Sequence, residues 1–189
     1  FPTRRSSDLP NGTSEVFKID LTLNGNLEIQ SGGQINVDGM GYAIGNGPGK
    51  GTGGSYGGRS GLTGFTYGSI TAPTNLGSAG ADGAGGGAAI LSVTGTATVN
   101  GAISAAGVGK NYSGAGGSVF LTAGALAGSG SIRANGLPGG TGAGGGGRIA
   151  VILTNSVDFG GLTFQAYGGT GGDGASAGTV YLQHTNNAP

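Results

Sequence analysis

The chain has no cysteine, few charged residues and no long apolar run, and each absence excludes a class of protein or site. Without cysteine there are neither disulfides nor thiolate metal ligands. Charged residues are 8% of the chain and the formal net charge is zero. This argues against nucleic-acid binding, which depends on clustered lysine and arginine. No apolar stretch reaches the roughly 18 residues of a membrane helix, so no membrane span is expected.

Glycine is the residue that the chain has in excess, with 49 among 189 residues. On its own such a composition is typical of low-complexity, disordered chains. Collagen is excluded because glycine does not recur at every third position. The glycines concentrate in segments that we interpret as flexible loops between short strands, at 45–61, 77–87, 107–117, 136–147 and 168–178.

A repeat organises the second half of the chain and argues against disorder. Four similar segments open with Gly87, Gly117, Gly147 and Gly178, in steps of 30, 30 and 31 residues. The second, fourth and sixth positions after the opening glycine are aliphatic, the two-residue period of a strand with one buried face. These columns are Ala89, Val119, Ile149 and Val180; Leu91, Leu121, Val151 and Leu182; and Val93, Ala123 and Leu153.

A second motif recurs within each step, as INVDG, ISAAG, IRANG and FQAYG. Its inward positions are expected at Ile35, Ile103, Ile132 and Phe164, and at the residues two positions later. The residues between, Asn36, Ser104, Arg133 and Gln165, are expected to face solvent. A weaker third strand is predicted from Thr96. Coils that bury their apolar side only by stacking on their neighbours form a solenoid. The predicted fold is therefore all-β, a parallel β-helix (β-solenoid) with coils of about 30 residues and glycine-rich loops.

Two segments depart from this rhythm. Residues 1–9, FPTRRSSDL, resemble a translated sequencing adapter and are predicted to be an artefact, as in a metagenomic fragment. Residues 10–189 are predicted to form a single β-solenoid fragment, with the rest of a parent chain at both ends. Ile35 and Ile103 are 68 residues apart, so a long glycine-rich insertion is expected at about 45–86.

Several stretches resemble a glycine-rich repeat of large secreted or cell-surface proteins, mainly bacterial, found beside adhesin-like and autotransporter-like β-solenoids. The resemblance covers roughly residues 15–183 and implies an extracellular or cell-surface location, without supplying any functional residue. The matching segments include GGSYGG at 53–58, GGGAAILSVTGTATVNGAISAAG at 85–107, GGSVFLTAGALAGSGSIRANG at 116–136 and GGGGRIAV at 144–151.

Motifs for phosphate, metal or catalytic chemistry are incomplete. GNGPGKGT, from Gly45, departs from the phosphate-loop spacing. GGTGGDGA, from Gly168, matches one copy of a calcium repeat, but its Asp173 and the equivalent Asp82 lie three coils apart. Both are therefore interpreted as solvated loop aspartates. The acidic residues are scattered and the single histidine is His184, so we expect no enzyme activity, no metal site and no cofactor.

One outward column is apolar rather than polar. It holds Ile90, Phe120, Ala150 and Tyr181, and exposed apolar stripes are often binding sites. Ile90, Phe120 and Tyr181 are therefore candidate ligand-binding residues, with surface polysaccharide or another cell-surface component as partner. The competing interpretation is that a glycine loop or the insertion folds over the stripe and buries it. In that case Phe120 is expected to be buried and Tyr181 partly exposed. Ser118, also in an outward column, is expected to tolerate alanine.

The sequence favours a structural or adhesive repeat segment of a larger extracellular protein, a stiff scaffold that presents glycine-rich loops. The main alternative is a carbohydrate-binding module that uses the outward aromatic residues. Ice binding is less favoured because Gly124 interrupts the threonine column of Thr94 and Thr154. A polysaccharide-degrading β-helix enzyme is disfavoured by the scattered carboxylates.

Overall fold

Ten short strands and no helix build the part of the chain that the computed structural model describes, residues 12–61 and 64–185. Residues 1–9, predicted to be an artefact, lie outside the described residues. The strands are β1 (Ile19–Leu23), β2 (Leu27–Ile29), β3 (Gln34–Asn36), β4 (Ala88–Val99), β5 (Ala102–Ser104), β6 (Ser118–Ala127), β7 (Ser131–Arg133), β8 (Arg148–Leu153), β9 (Thr163–Gln165) and β10 (Thr179–His184).

All strand pairs are parallel, and the strands form two stacked ladders. The larger sheet has the order β1-β4-β6-β8-β10, with β2 beside β4, and the second has the order β3-β5-β7-β9. Ala89 pairs with Val119, Val119 with Ile149, and Ile149 with Val180. The predicted β-solenoid and its register are therefore confirmed, with about three turns of about 31 residues per coil.

The aliphatic columns form one continuous core between the two sheets. In the inner coils Val119, Leu121, Ile149 and Val151 are fully buried, as predicted. The second motif supplies the opposite wall, where Ile103, Ile132, Ala105 and Ala134 are also fully buried. Burying each branched side chain in this way stabilises the fold by about 1.5–3 kcal/mol before conformational entropy is subtracted.

Two local expectations are wrong. The third strand predicted from Thr96 is not separate: β4 and β6 continue through it, and their register shifts between Val93 and Thr96. An extra residue in one strand produces such a bulge, which bends a strand without ending it. Ser104, expected to face solvent, is buried, and its hydroxyl donates to Oδ1 of Asp38 at 2.6 Å, which satisfies it there.

The glycine segments are a packed second layer rather than flexible loops, so that expectation also needs correction. We use the term glycine layer for residues 77–87, 107–117, 136–147 and 168–178 together with 53–58. Backbone amides in one segment donate to carbonyls of other segments or coils along the layer. Examples are Gly54 to Ser113, Gly86 to Ala115, Gly116 to Gly145, Gly145 to Gly54 and Gly146 to Ser176, all at 2.8–3.0 Å.

Hydrogen bonds of the segment 113–117 repeat every three residues. Ser113 and Gly116 donate to the following coil. Gly114 and Gly117 donate back to the carbonyls of Val108 and Ala105, and Ala115 donates to Ser78 of the insertion. Three residues per turn without internal hydrogen bonds is the geometry of a polyproline II helix. A segment of this kind can bond to neighbours on three sides.

Only glycine allows neighbours to approach so closely. A Cβ on Gly116 would overlap the backbone carbonyl of Ala134, and one on Gly145 would overlap that of Gly58. The density of glycine is thus a packing requirement of the second layer.

Candidate functional site

The outward face of the larger sheet has three rows of side chains, and the insertion (45–86) covers the first of them. We call them the first, second and third outward rows, counted from the opening glycines. The rows are Ala88, Ser118, Arg148 and Thr179; then Ile90, Phe120, Ala150 and Tyr181; then Ser92, Thr122, Ile152 and Gln183.

Aromatic and apolar side chains of the insertion, together with Tyr42 just before it, cover the first outward row at Ala88, Ser118 and Arg148, whereas Thr179 stays partly exposed. Leu76 and Tyr42 cluster with Ala88, and Tyr56 is fully buried. Ala88 and Ser118 are completely inaccessible, and Arg148 is 5% exposed. The outward direction predicted for Ser118 is correct, but the inference that it tolerates alanine is not supported, because the insertion buries it.

Ser118 joins the sheet to the insertion through two hydrogen bonds. Its hydroxyl donates to the backbone carbonyl of Asn75 at 2.5 Å, and it lies 2.8 Å from the hydroxyl of Tyr56. Since the serine proton goes to Asn75, the Tyr56 hydroxyl is the donor in the second bond. The bond to Tyr56 is buried and the bond to Asn75 is partly buried. An unpaired buried hydroxyl costs about 1–3 kcal/mol.

Arg148 is a buried cation held by polar backbone and aromatic groups. Its guanidinium carbon lies 5.3 Å from the ring centroid of Tyr56, in cation–π geometry. Nε donates to the carbonyl of Tyr67 at 3.0 Å, and Nη1 to the hydroxyl of Thr179 at 3.2 Å. Sequence reasoning missed this role, although an arginine in a column of Ala, Ser and Thr was a visible irregularity.

Glu15 ties the start of the described chain to the same cover. One carboxylate oxygen accepts from the Tyr42 hydroxyl, the Asn75 side-chain amide and the Leu76 backbone amide at 3.1–3.3 Å. The other pairs with Lys18 at 2.7 Å. The donors from Asn75 and Leu76 hold Glu15 against the insertion, whereas the Lys18 pair is local to the segment.

The tyrosines of the cover are harder to ionise than free tyrosine. Burial, with the nearby Glu15 charge, raises the pKa of Tyr42 to about 12. Burial raises the pKa of Tyr56 to about 12, although its Ser118 hydrogen bond and the Arg148 charge act in the opposite direction. Burial also raises the pKa of Tyr67. All three hydroxyls are therefore neutral hydrogen-bond donors at physiological pH.

The second outward row contains the predicted ligand-binding residues. Register places Ile90, Phe120 and Tyr181 in one line across β4, β6 and β10, with Ala150 of β8 between the two aromatic residues. Ile90, Phe120 and Tyr181 are all partly exposed, whereas Ala150 is completely buried. The insertion thus covers the neighbouring row and leaves this one half open, so the complete cover expected at Phe120 is absent.

One strand, β8, separates the aromatic residues of this row. Their backbones are about 9.6 Å apart, twice the usual strand spacing. The Tyr181 hydroxyl donates to Oε1 of Gln183 at 2.9 Å. This bond orients the Tyr181 ring, and the Tyr181 hydroxyl oxygen can still accept a hydrogen bond from a ligand. A line of half-exposed rings with adjacent amides and hydroxyls can contact an extended ligand.

Asp82 and Asp173 do not meet, as the register predicted. Asp82 is exposed, yet its carboxylate accepts from the amides of Lys110, Asn111 and Tyr112 in the next coil, at 2.9–3.4 Å. These bonds lower the pKa of Asp82. Its role is thus to fix the next turn. Within residues 12–61 and 64–185, no group of three acidic, histidine or cysteine side chains could hold a metal ion.

The remaining motifs use their polar groups inside the protein. In the segment that resembled a phosphate loop, the Gly49 amide donates to the Ser78 hydroxyl at 2.9 Å, and its carbonyl accepts from the Ser55 amide. In the threonine column, Thr94 accepts from the Gly25 amide, and Thr154 donates to the Ala123 carbonyl. Neither set is arranged as an open site.

A scan against family models finds no matching family, and searches of curated proteins and of solved structures find no significant relative. In the described part of the chain, no helix is long and apolar enough to cross a membrane. The fold is a β-solenoid whose larger sheet is covered by the insertion along its first outward row.

Proposed function

We propose that the chain is a structural, adhesive-type segment of a larger extracellular or cell-surface protein of bacterial origin. The function of this segment is to form a stiff scaffold. The observation that supports this most is the double layer. Each coil is joined to the next by strand ladders on one side and by glycine-layer hydrogen bonds on the other.

The insertion adds a connection that runs across coils instead of along them. Its segment 53–61 bonds in turn to Ser113, Gly146 and Gly174, which belong to three successive coils. Coils that are bonded only to neighbours can separate one at a time. A strap that contacts several coils couples their opening, which suits a segment that transmits force.

The scarcity of groups suited to reaction chemistry also supports a structural role. The buried polar groups around Ser118 and Arg148 are used in packing contacts, and their tyrosines remain neutral. We therefore propose no enzymatic activity and no cofactor.

A carbohydrate-binding module is the second candidate, because Phe120 and Tyr181 are half exposed in one row. Retention on immobilised bacterial polysaccharides tests the two proposals. The scaffold proposal expects the same weak retention for the unmodified chain, Phe120→Ala and Tyr181→Ala. Clear retention that is lost in both variants, with unchanged melting temperatures, would establish the sugar platform instead.

The effect of Phe120→Ala on retention has to be compared with that of a control variant on the same face of the sheet but outside the second outward row. Ser92→Ala, at the exposed position of the third outward row, provides that control. If Ser92→Ala abolished retention as strongly as Phe120→Ala, a specific aromatic platform would be contradicted and nonspecific adsorption to the sheet indicated.

A further inference from the structure

The second sheet, β3-β5-β7-β9, has a polar outward face of its own. Arg133 of β7 lies beside Gln165 of β9 in the strand register. Two amide-to-carbonyl bonds, at 2.8 and 2.9 Å, continue this ladder beyond the ends of both strands and place Asn135 beside Tyr167. We use the term polar patch for Arg133, Asn135, Gln165 and Tyr167.

The four side chains of the polar patch lie close together and are accessible. Adjacent strands are about 4.8 Å apart, and alternate residues of one strand are about 6.6 Å apart. Arg133, Asn135 and Gln165 are partly exposed, and Tyr167 is 59% exposed. These side chains point sideways from the stack of coils, so further coils at either end would lie beside the polar patch and not over it.

Arg133 lacks a counter-charge in the described part of the chain. Within residues 12–61 and 64–185, no carboxylate forms an ion pair with its guanidinium, and no group accepts a hydrogen bond from its solvent-shielded Nε. Asp38, on the same face but two strands away, accepts instead from the Ser104 hydroxyl and the Ala106 amide, both at 2.6 Å. A partly buried cation without a partner is costly, and a carboxylate bound to it would offset part of that cost.

The two amide side chains of the polar patch use their oxygens within the protein. Oδ1 of Asn135 accepts from the Tyr167 backbone amide at 2.8 Å, and Oε1 of Gln165 accepts from Nδ2 of Asn135 at 3.3 Å. The side-chain N–H groups of Gln165 are therefore the part of this amide that remains for a ligand. With Arg133 next to them, the polar patch offers donors and a positive charge, which is the chemistry that fits an anion.

Tyr167 adds an exposed aromatic ring to this charged surface. Such a ring gives a sugar ring an apolar face to pack on, and its hydroxyl can exchange hydrogen bonds with sugar hydroxyls. A small inorganic anion would contact only Arg133 and Gln165. A ligand that carries carboxylates on sugar rings would contact Tyr167 as well.

We propose that the polar patch binds an acidic polysaccharide, with a uronate carboxylate on Arg133 and Gln165 and a sugar ring of the same polymer against Tyr167. This proposal rests on the adhesive role proposed above and supplies that role with a contact surface. The polar patch is separate from the second outward row, which belongs to the larger sheet and contains no cation. A single contact of this kind is weak, and its strength falls as the salt concentration rises.

Binding of the chain to immobilised polygalacturonate tests this proposal, with the methyl ester of the same polymer as the uncharged comparison. We expect binding to polygalacturonate at low salt and at least about tenfold weaker binding to the ester, because the ester keeps the sugar rings and removes the charge. Arg133→Gln should raise the dissociation constant for polygalacturonate by about tenfold or more. Arg133→Lys should restore only part of this loss, because lysine lacks the planar fork of donors.

Lys50→Gln is the matched control, because it removes the same charge at an exposed position of the insertion. It should leave the dissociation constant unchanged. Melting temperatures show whether each variant is folded. If Arg133→Gln melted early, Tyr167→Ala, at an exposed position, would serve in its place and should also weaken binding.

Three results would overturn the proposal: equal binding of the methyl ester, an equal loss in Lys50→Gln, or no binding of the unmodified chain at low salt. The last result would leave the stiff scaffold proposed above intact. Binding that is lost in Phe120→Ala but unchanged in Arg133→Gln would contradict both proposals, because it would place the sugar site on the second outward row.

Discussion

The solenoid core and the glycine layer are held together by opposite means. In the core, Leu121 and its neighbours contribute by burying large side chains between two sheets. In the glycine layer, residues such as Gly145 contribute by having no side chain, so that backbones come close enough to bond in several directions. The first region depends on the hydrophobic effect, and the second depends on hydrogen bonds and close packing.

This contrast explains how one chain can be both glycine-rich and ordered. Glycine loses more backbone entropy on folding than other residues, so a glycine segment needs strong compensation. The layer obtains it by bonding to several partners at once and by lying against a core that is already stacked. Substitutions in the two regions should therefore follow opposite rules: removing atoms damages the core, and adding atoms damages the layer.

Leu121→Ala should have the largest effect, because it empties the centre of the core. We expect a loss of about 2–5 kcal/mol in the free energy of unfolding, measured by urea denaturation. Ser92→Ala, at the exposed position of the third outward row, should change the free energy of unfolding by less than about 0.5 kcal/mol. Equal losses for the two variants would contradict the inward and outward assignment of β4 and β6.

Gly145→Ala should be nearly as damaging, although it adds only one methyl group. The new Cβ would overlap the Gly58 carbonyl, and overpacking of this kind costs about 1–3 kcal/mol. Gly161→Ala is the matched control, since its nearest neighbour would be 3.4 Å away; it should be neutral or slightly stabilising. If Gly145→Ala left the free energy of unfolding unchanged, the claim that the glycine layer is more tightly packed than ordinary loops would be contradicted.

Ser118→Ala should have an intermediate effect, because it breaks the junction between the sheet and the insertion. It leaves the Tyr56 hydroxyl and the Asn75 carbonyl without a buried partner, at a cost of about 1–3 kcal/mol. A double-mutant cycle with Tyr56→Phe measures the shared part of that loss. If the two losses were purely additive, the hydroxyl–hydroxyl bond would contribute nothing to stability.

High pH should loosen the cover, with no effect at neutral pH. Tyr42 and Tyr56 have pKa values raised from 10.0 to about 12 in the folded chain. The folded state therefore holds these protons more tightly, and stability should fall as pH rises from about 10 to about 12. Urea melts of Tyr56→Phe should show a shallower fall over that interval. An identical pH dependence would mean that Tyr56 ionisation is not involved.

The strands could be predicted from sequence because alternation and register are both carried by the side chains. Val119 and Ile149 are aliphatic at the same distance from an opening glycine, which only a stacked strand requires. The packing of the insertion over Ser118 could not be predicted, because no repeat in the sequence relates Tyr56 to β6. Arg148 and Ser118 gave only the weak signal of polar residues in an outward column.

The glycine layer could not be predicted because its specificity lies in the backbone. Gly116 and Gly145 are indistinguishable in sequence from glycines in a mobile loop. Their partners are set by the distance between coils and by where the insertion returns. The second outward row was placed correctly by register, but its half-open state depends on how far the insertion reaches across the sheet.

Native-state hydrogen exchange of individual amides tests the central claim, that the glycine layer is a structural layer as firmly held as the core. The amides to compare are Gly116 and Gly145 in the layer, and Leu121 and Val151 in the core. The account predicts opening free energies for the two glycines that approach those of the core amides. Exchange of Gly116 and Gly145 at the rate of unstructured peptide, while Leu121 and Val151 stay protected, would contradict it.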